Sequence, residues 1–413
     1  IQELISVDCI KQGTFTLKSG QISRYYYDMK KLVSYPSLVS KIGDALYSSI
    51  TNSGIEFDFL CGIPLGGLPI TCYISLKYNI PMIMLRPSSK SYGTCSRYEG
   101  EISPNMNRCL IIDDVITSGL SLRQSIDALK SQNVSINVVG AAVIVDRQQG
   151  YNSDNSGNVT VISLLSKTDV TRYRLKKIIE SKKTRLCFAA DNCYDLEVLL
   201  QVLDTVGESI AICKIHWDVI RCALFKSKMM TENEFKCELI SLAVKHDFLL
   251  MEDRKFVDIG FIVSQQYAEF SNWIDLVTVS ALVTESTIKG LSGVVIVSQM
   301  SNTSDTFNFN QRAEALATCC QDQVIGFVSQ TPITSFPNMY VMTPGVKGVV
   351  SLSETEKKDN DDQSYRSAAE IINSISSDII IVGRGIYEHD SISVICNIAK
   401  EYALLSANKD YVA

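Results

Sequence analysis

Two stretches of the chain carry charges in a spacing that suggests chemistry. In MEDRKFVDIG (251–260) an apolar run closes on Asp253, Lys255 and Asp258. Residues two apart in a strand share a face, so Asp253 and Lys255 are expected on one side, with Asp258 opening the next loop. AICKIH ends another apolar run on Lys214. Two lysines and two aspartates converging there would alternate in sign. Burying such an array costs on the order of several kcal/mol of desolvation per ion, only partly offset by pairing, which points to a functional site. A metal is the poorer fit, because a lysine between two acids competes with the cation. A structural ion-pair network is the alternative reading.

RCLIIDDVITSGLSLRQSIDAL (108–129) is the second stretch. It reads as a buried strand ending in Asp113 and Asp114, a small-residue turn, and a helix with Leu122, Ile126 and Leu129 on one face. Backbone N–H groups of Thr117, Ser118 and Gly119 would point at an anion, and a phosphate fits. The two acids would repel that phosphate, so sugar hydroxyls or a magnesium ion are their expected partners. A strand running into an ordinary helix cap is the alternative.

The elements that must hold these residues differ between the halves. From residue 55 to about 165, short apolar runs such as FDFLCGIP, PMIMLRP and INVVGAAVIVD alternate with helical patterns, as in a parallel sheet with flanking helices. A first domain is expected over 1–168, followed by a basic linker helix over 169–184. Over 185–413, apolar runs recur about eight times in βα alternation, the count of a (β/α)8 TIM barrel, whose chemistry gathers at the carboxyl ends of its strands. Asp191, Lys214, Asp253, Ser301, Pro344 and Arg384 fall at such ends. SETEKKDNDDQSY (353–365) is too charged for a core element and is expected to be a mobile loop over that face.

Composition narrows the class. At 413 residues the chain exceeds what one hydrophobic core usually serves, and 46% apolar with 20% charged residues is the balance of a soluble globular enzyme. No window is apolar enough to cross a bilayer, so no membrane association is expected. A net charge of −6 argues against a nucleic acid polymer as partner but leaves room for local phosphate pockets. The 13 cysteines lack CxxC spacing and sit mostly in apolar runs, which reads as reduced thiols in a cytoplasmic protein. His216, His246 and His389 are dispersed, and no zinc site is expected from them. The sequence starts at Ile1 with no signal-type segment, so a few residues are expected to precede it.

The strand–DD–turn–helix string closely resembles the ribose-phosphate signature of type I phosphoribosyltransferases. With FTLKSGQISRYYYDM, LRPSSKSYGTCSRYEG and VDRQQG around it, the first half resembles orotate phosphoribosyltransferase. The resemblance implies that Lys18 and Arg147 contact orotate and the sugar diphosphate. It puts Arg86, Lys90 and Tyr92 on a flexible catalytic loop, from which Lys90 reaches pyrophosphate across a dimer. It also implies Mg2+ bound with phosphoribosyl diphosphate. A mobile loop suits this chemistry, since its cations arrive only after substrate binds. Pro87 stands where the family usually has a second basic residue, and Leu65-Gly66 where bacterial relatives carry Tyr-Lys.

LCFAAD, CKIHWDVI, EDRKFVDIG and SDIIIVGRGI together resemble orotidine 5'-monophosphate decarboxylase over essentially the whole second half. The resemblance implies a catalytic tetrad of Lys214, Asp253, Lys255 and Asp258, the last contributed across a homodimer interface. It assigns ribose to Asp191, the pyrimidine to Ser301 and the phosphate to Gln363, Tyr365 and Arg384, with Pro344 and Gly383 in the same substrate site. Decarboxylation leaves negative charge on a ring carbon, and no cofactor is expected. Lys255 would stabilise that charge and donate the proton. Phe261 and Ile262 stand where relatives carry Asn-Thr. The two halves in this order resemble the bifunctional UMP synthases, which implies orotate, phosphoribosyl diphosphate and orotidine 5'-monophosphate as substrates. A nucleotide-binding homologue that keeps only the decarboxylase step, or neither activity, is the alternative.

Overall fold

The computed structural model describes residues 1–17, 19–86, 97–132, 135–149, 159–191, 195–302, 309–352, 364–375, 377–389 and 391–407. Strands β1 (Ile10–Thr16) and β2 (Ile22–Tyr27) pair as a two-stranded sheet. Six more follow in the first half: β3 (Phe59–Gly62), β4 (Met82–Leu85), β5 (Tyr98–Glu99), β6 (Arg108–Ile116), β7 (Asn137–Asp146) and β8 (Val161–Ser166). They form one sheet in the order β5-β4-β3-β6-β7-β8, parallel except for the β4–β5 pair. All of β3 and the Cys109–Ile112 part of β6 are apolar and buried, as expected of parallel strands covered on both faces. The helix Pro36–Asn52 buries Leu38, Ile42, Leu46 and Ile50, one side chain per turn along a single stripe.

The second half closes into a barrel of eight parallel strands: β9 (Leu186–Ala189), β10 (Ile212–Ile215), β11 (Leu249–Phe256), β12 (Leu276–Ser280), β13 (Val294–Val297), β14 (Val324–Val328), β15 (Tyr340–Thr343) and β16 (Ile379–Val382), with β16 pairing back onto β9. This is the (β/α)8 architecture. Among the described residues no helix is long and apolar enough to cross a membrane, and the described cysteines are free thiols.

The chain divides into two compact units, one of residues 1–11 and 26–170 and the other of 12–25 and 171–413. The segment 12–25 thus groups with the barrel, where the sequence order had put it in the first domain. The reason is a buried polar knot at the amino ends of the barrel strands. The fully buried Arg24 pairs with Asp275 and donates to the Phe248 carbonyl at 2.6 Å, while the Tyr25 hydroxyl donates to Asp275 at 2.6 Å. Breaking one member of such a pair typically costs about 3–5 kcal/mol, which fixes the segment in place. The helix expected over 169–184 runs Lys167–Lys182. Ser166 and Asp169 start it early: the Asp169 carboxylate accepts from the Ser166 N–H at 2.9 Å, and the Ser166 hydroxyl accepts from the Asp169 N–H at 3.1 Å, a reciprocal cap.

Candidate active sites

The carboxyl ends of the barrel strands enclose a cavity of about 300 Å³. Asp191 follows β9, Lys214 lies in β10, Asp253 and Lys255 in β11, Ser301 follows β13, Pro344 follows β15, and Gly383 and Arg384 follow β16. All of these and Tyr365 line that cavity. Ala189, Val297, Val328 and Ile381 supply its apolar wall. The cavity thus combines an apolar lining with a few convergent charged groups, the composition of a small-molecule site.

The charges form a chain. Lys214 Nζ lies 2.8 Å from Asp191 Oδ1 and 2.9 Å from Asp253 Oδ2, and Lys255 Nζ lies 2.8 Å from that same Asp253 oxygen. Burial would push the Asp253 carboxyl up, but Lys214 and Lys255 outweigh it and hold the group far below the usual carboxylate range. Asp191 behaves alike: burial raises it, and Lys214 with His216 brings it well down. Burial would lower the Lys214 ammonium, whereas Asp253 and Asp191 hold it well above its ordinary value. Opposite charges thus keep Asp253, Asp191 and Lys214 ionised.

Strict strand alternation does not deliver Lys255 to this cluster. Lys255 takes a left-handed backbone conformation, φ 51°, which costs a residue with a Cβ roughly 1–2 kcal/mol, and the β11–β12 register shifts between Glu252 and Phe256. Asp253 and Lys255 meet across a bulge. The hydroxyl of Thr278 in β12 sits in that bulge. Thr278 and His216 both line the cavity, and neither had been singled out. His216, with Nε2 3.3 Å from Lys214 Nζ, follows Lys214 by two residues and so shares its face, a signal the sequence offered. Nothing in the sequence marks Thr278, since its place depends on the bulge.

Asp258 is not in the cluster. It is exposed, and its carboxylate accepts from the Ile259 N–H at 2.7 Å. Gln363 and most of the expected loop 353–365 lie outside the described residues.

In the first unit, Asp113 and Asp114 do not end their strand as expected: they lie where pairing with β3 stops at Ile112, while pairing of β6 with β7 runs on to Ile116. Thr117, Ser118 and Gly119 lead into the helix Leu120–Gln132. Gly119 has φ 75°, the left-handed turn that glycine makes without strain. The Asp113 carboxylate accepts from the Asp114 N–H at 2.9 Å, and burial together with the neighbouring Asp114 charge pushes Asp113 well above the ordinary carboxylate range. The loop after β3 packs on these acids so tightly that a Cβ at Gly66 would come within 2.0 Å of Asp114 Oδ2. No side chain fits there, which accounts for a glycine at that position. Arg147 follows β7, its N–H bonded to the Ile116 carbonyl at 3.0 Å and its guanidinium 5.6 Å from the Tyr27 ring centroid. Arg86 directly follows β4 and is paired with Glu99 of β5. Lys18, Lys90 and Tyr92 lie outside the described residues.

Comparison with known proteins finds relatives of both halves. Residues 184–393 match the orotidine 5'-phosphate decarboxylase / HUMPS family, and residues 28–176 match the phosphoribosyl transferase domain. A uridine 5'-monophosphate synthase of Bos taurus is 30% identical, covering 93% of this chain and 92% of that protein. The chain belongs to the uridine 5'-monophosphate synthase family. A family member from Naegleria gruberi is also 30% identical and covers 94% of this chain and 92% of its own length. Among solved structures, an orotate phosphoribosyltransferase from Aeropyrum pernix is 29% identical, with a TM-score of 0.36, over 43% of this chain and 95% of that one. The matched ranges contain Asp113, Asp114 and Arg147 in the first unit and Lys214, Asp253 and Lys255 in the second.

Proposed function

We propose that the chain makes UMP in two steps of de novo pyrimidine biosynthesis. The first unit joins orotate to phosphoribosyl diphosphate, releasing pyrophosphate, and the barrel converts the resulting orotidine 5'-monophosphate to UMP and carbon dioxide. The observation that carries this reading is the Lys214–Asp253–Lys255 charge chain at the barrel mouth, with Lys214 and Asp253 buried, supported by family membership over nearly the whole length.

In the barrel, the bond between the ring and its carboxylate breaks, carbon dioxide leaves, and the electron pair stays on the ring carbon. Lys255 is the cation placed to stabilise that pair and to deliver its proton to the same carbon, after which water restores the ammonium. Asp253 holds Lys255 in place and remains ionised through the cycle, so it competes neither for the proton nor as an acid. Lys214 neutralises Asp253 from the other side and ties in Asp191, which is positioned for the ribose hydroxyls. Ser301 and Pro344 serve the base, and Gly383, Arg384, Tyr365 and Gln363 the phosphate. Asp258 completes the tetrad of the partner's site in a cytoplasmic homodimer. Its exposure and its separation from its own cluster support that role.

In the first unit the adjacent, half-buried carboxyls of Asp113 and Asp114 suit a divalent cation held by carboxylates and substrate oxygens rather than by a protein cage, and Mg2+ has that preference. Bound there, Mg2+ would neutralise the departing pyrophosphate. Thr117, Ser118 and Gly119 cradle the ribose phosphate, while Arg147, Arg86, Lys18, Lys90 and Tyr92 bind orotate and the diphosphate. Lys255→Ala tests the assignment: orotidine 5'-monophosphate should still form from orotate, but its decarboxylation should fall by more than the ~10²–10⁴-fold of a lone general acid. Near-normal UMP formation by this variant, followed by ultraviolet absorbance, would exclude the reading.

A further inference from the structure

Pairing of β11 with β12 is regular at Met251↔Leu276 and Glu252↔Val277 and resumes at Phe256↔Val279. Asp253, Arg254 and Lys255 on one strand therefore face Thr278 alone on the other. The bulge leaves two polar groups in need of partners. One is the Lys255 N–H, which the shift removes from the ladder. The other is Asp253 Oδ1, because Oδ2 already meets Lys214 at 2.9 Å and Lys255 at 2.8 Å. The Thr278 hydroxyl satisfies both: it accepts from the Lys255 N–H at 2.9 Å and donates to Asp253 Oδ1 at 2.8 Å. Thr278 is 1% exposed, so water does not readily substitute for it.

We infer that Thr278 is a positioning residue, the clamp that holds the Asp253–Lys255 bulge so that two ammonium groups share one carboxylate oxygen. The inference rests on the decarboxylase reading of the barrel. A hydroxyl suits the place because it accepts and donates through a single atom. With the accepting oxygen gone, nothing holds the disfavoured backbone of Lys255 open. With the donor gone, Asp253 is free to rotate Oδ1 toward a lysine. Either change displaces the Lys255 ammonium from the reacting carbon, and a displacement of about 1 Å is enough for a large rate loss.

The full chain is compared with Thr278→Val, which keeps the shape and removes the hydroxyl, and with Thr278→Ser, which keeps it. In Thr278→Val, kcat for decarboxylation should fall about 10²-fold while KM for orotidine 5'-monophosphate stays within about threefold. Amide hydrogen exchange in peptides spanning 251–257 should accelerate about tenfold. Thr278→Ser should return both quantities to within about threefold of the parent. Unchanged kcat and exchange in Thr278→Val would overturn the clamp. So would a joint fall of kcat, KM and melting temperature that serine does not restore, since that is loss of packing. If the parent chain itself turns over no orotidine 5'-monophosphate, the functional reading fails, and exchange in the three chains still decides whether Thr278 holds the bulge.

Discussion

The two candidate sites handle buried acid in opposite ways. At the barrel mouth, Asp253 and Asp191 sit beside lysines of the same chain and are held ionised. In the first unit, Asp113 lies against Asp114, and burial with that like charge pushes it toward protonation. The barrel carries its own counter-charges and stands pre-organised before any ligand arrives. Among the described residues the acid pair has no such counter-charge that outweighs burial, as the proposed cation or sugar hydroxyls of a substrate would require. The difference is the one the proposed chemistry asks for: charge developing on a ring carbon calls for fixed protein groups, whereas a departing polyanion can bring a counter-ion with it.

Removing the barrel's counter-charge should have the largest effect. Lys214→Ala leaves Asp253 and Asp191 without their shared ammonium, so decarboxylation should fall at least about 10³-fold, and the barrel should lose about 3–5 kcal/mol, the cost of breaking a buried pair. Both tryptophans, Trp217 and Trp273, lie in the barrel unit, so tryptophan emission during urea unfolding reads that loss. A barrel as stable as the parent would mean that the cluster is not pre-organised.

Asp113→Asn with Asp114→Asn should lower the transferase step about 10²–10³-fold while sparing decarboxylation of added orotidine 5'-monophosphate. Equal damage to both steps would mean that the units act as one. The next effect is a partial recovery. Lys255→Ala and Asp258→Ala homodimers should each be nearly inactive in decarboxylation, but mixing them makes about half of the dimers mixed, each with one intact site. Activity should return to roughly a quarter of the parent's, because one site of a mixed dimer collects both lesions and the other none. A mixture that stays inactive, with subunit exchange verified by native mass spectrometry, rules out the shared site.

The smallest expected effect is on stability against pH. Asp113 is raised above its ordinary 3.8 in the folded chain, so the native state holds a proton that the unfolded state releases. Stability is full below that value and declines as pH rises through the window up to the raised one. Asp113→Asn should therefore stabilise the first unit by at least about 1 kcal/mol at pH 7, with no gain at pH 3, as followed by calorimetry. Asp253 and Asp191 are depressed, so their contribution is present above the ordinary carboxylate range and is lost only as pH falls through their lowered values. Acidification to pH 4 should leave the barrel's charge chain intact. A barrel that loosens at pH 4 before the first unit does would reverse the comparison.

Both architectures and most of both clusters were legible without coordinates, because they rest on local regularities. Apolar runs bounded by turns make parallel strands, and charged residues at the ends of such runs must lie at a barrel's mouth. Lys214 and Asp253 follow from that rule, whereas Asp113 and Asp114 took the resemblance of their whole string to a phosphoribosyltransferase signature, since a pair of acids before a helix fits an ordinary cap as well. His216 was equally legible two residues after Lys214, and was passed over as one of three scattered histidines.

Other features depended on contacts distant in sequence. Residues 12–25 group with the barrel because Arg24 and Tyr25 find Asp275, some 250 positions away, and no local pattern encodes a partner at that distance. Lys255 reaches Asp253 through a left-handed turn and a register shift, neither of which follows from alternation, since a bulge exists only relative to the strand beside it. Thr278 takes its meaning from that neighbouring strand alone. The sequence by itself determined which side chains carry charge and which strands end on them. Tertiary pairing decided which oxygen of Asp253 meets the lysines, because a hydrogen bond is set by distances of a few tenths of an ångström that spacing along a chain does not specify.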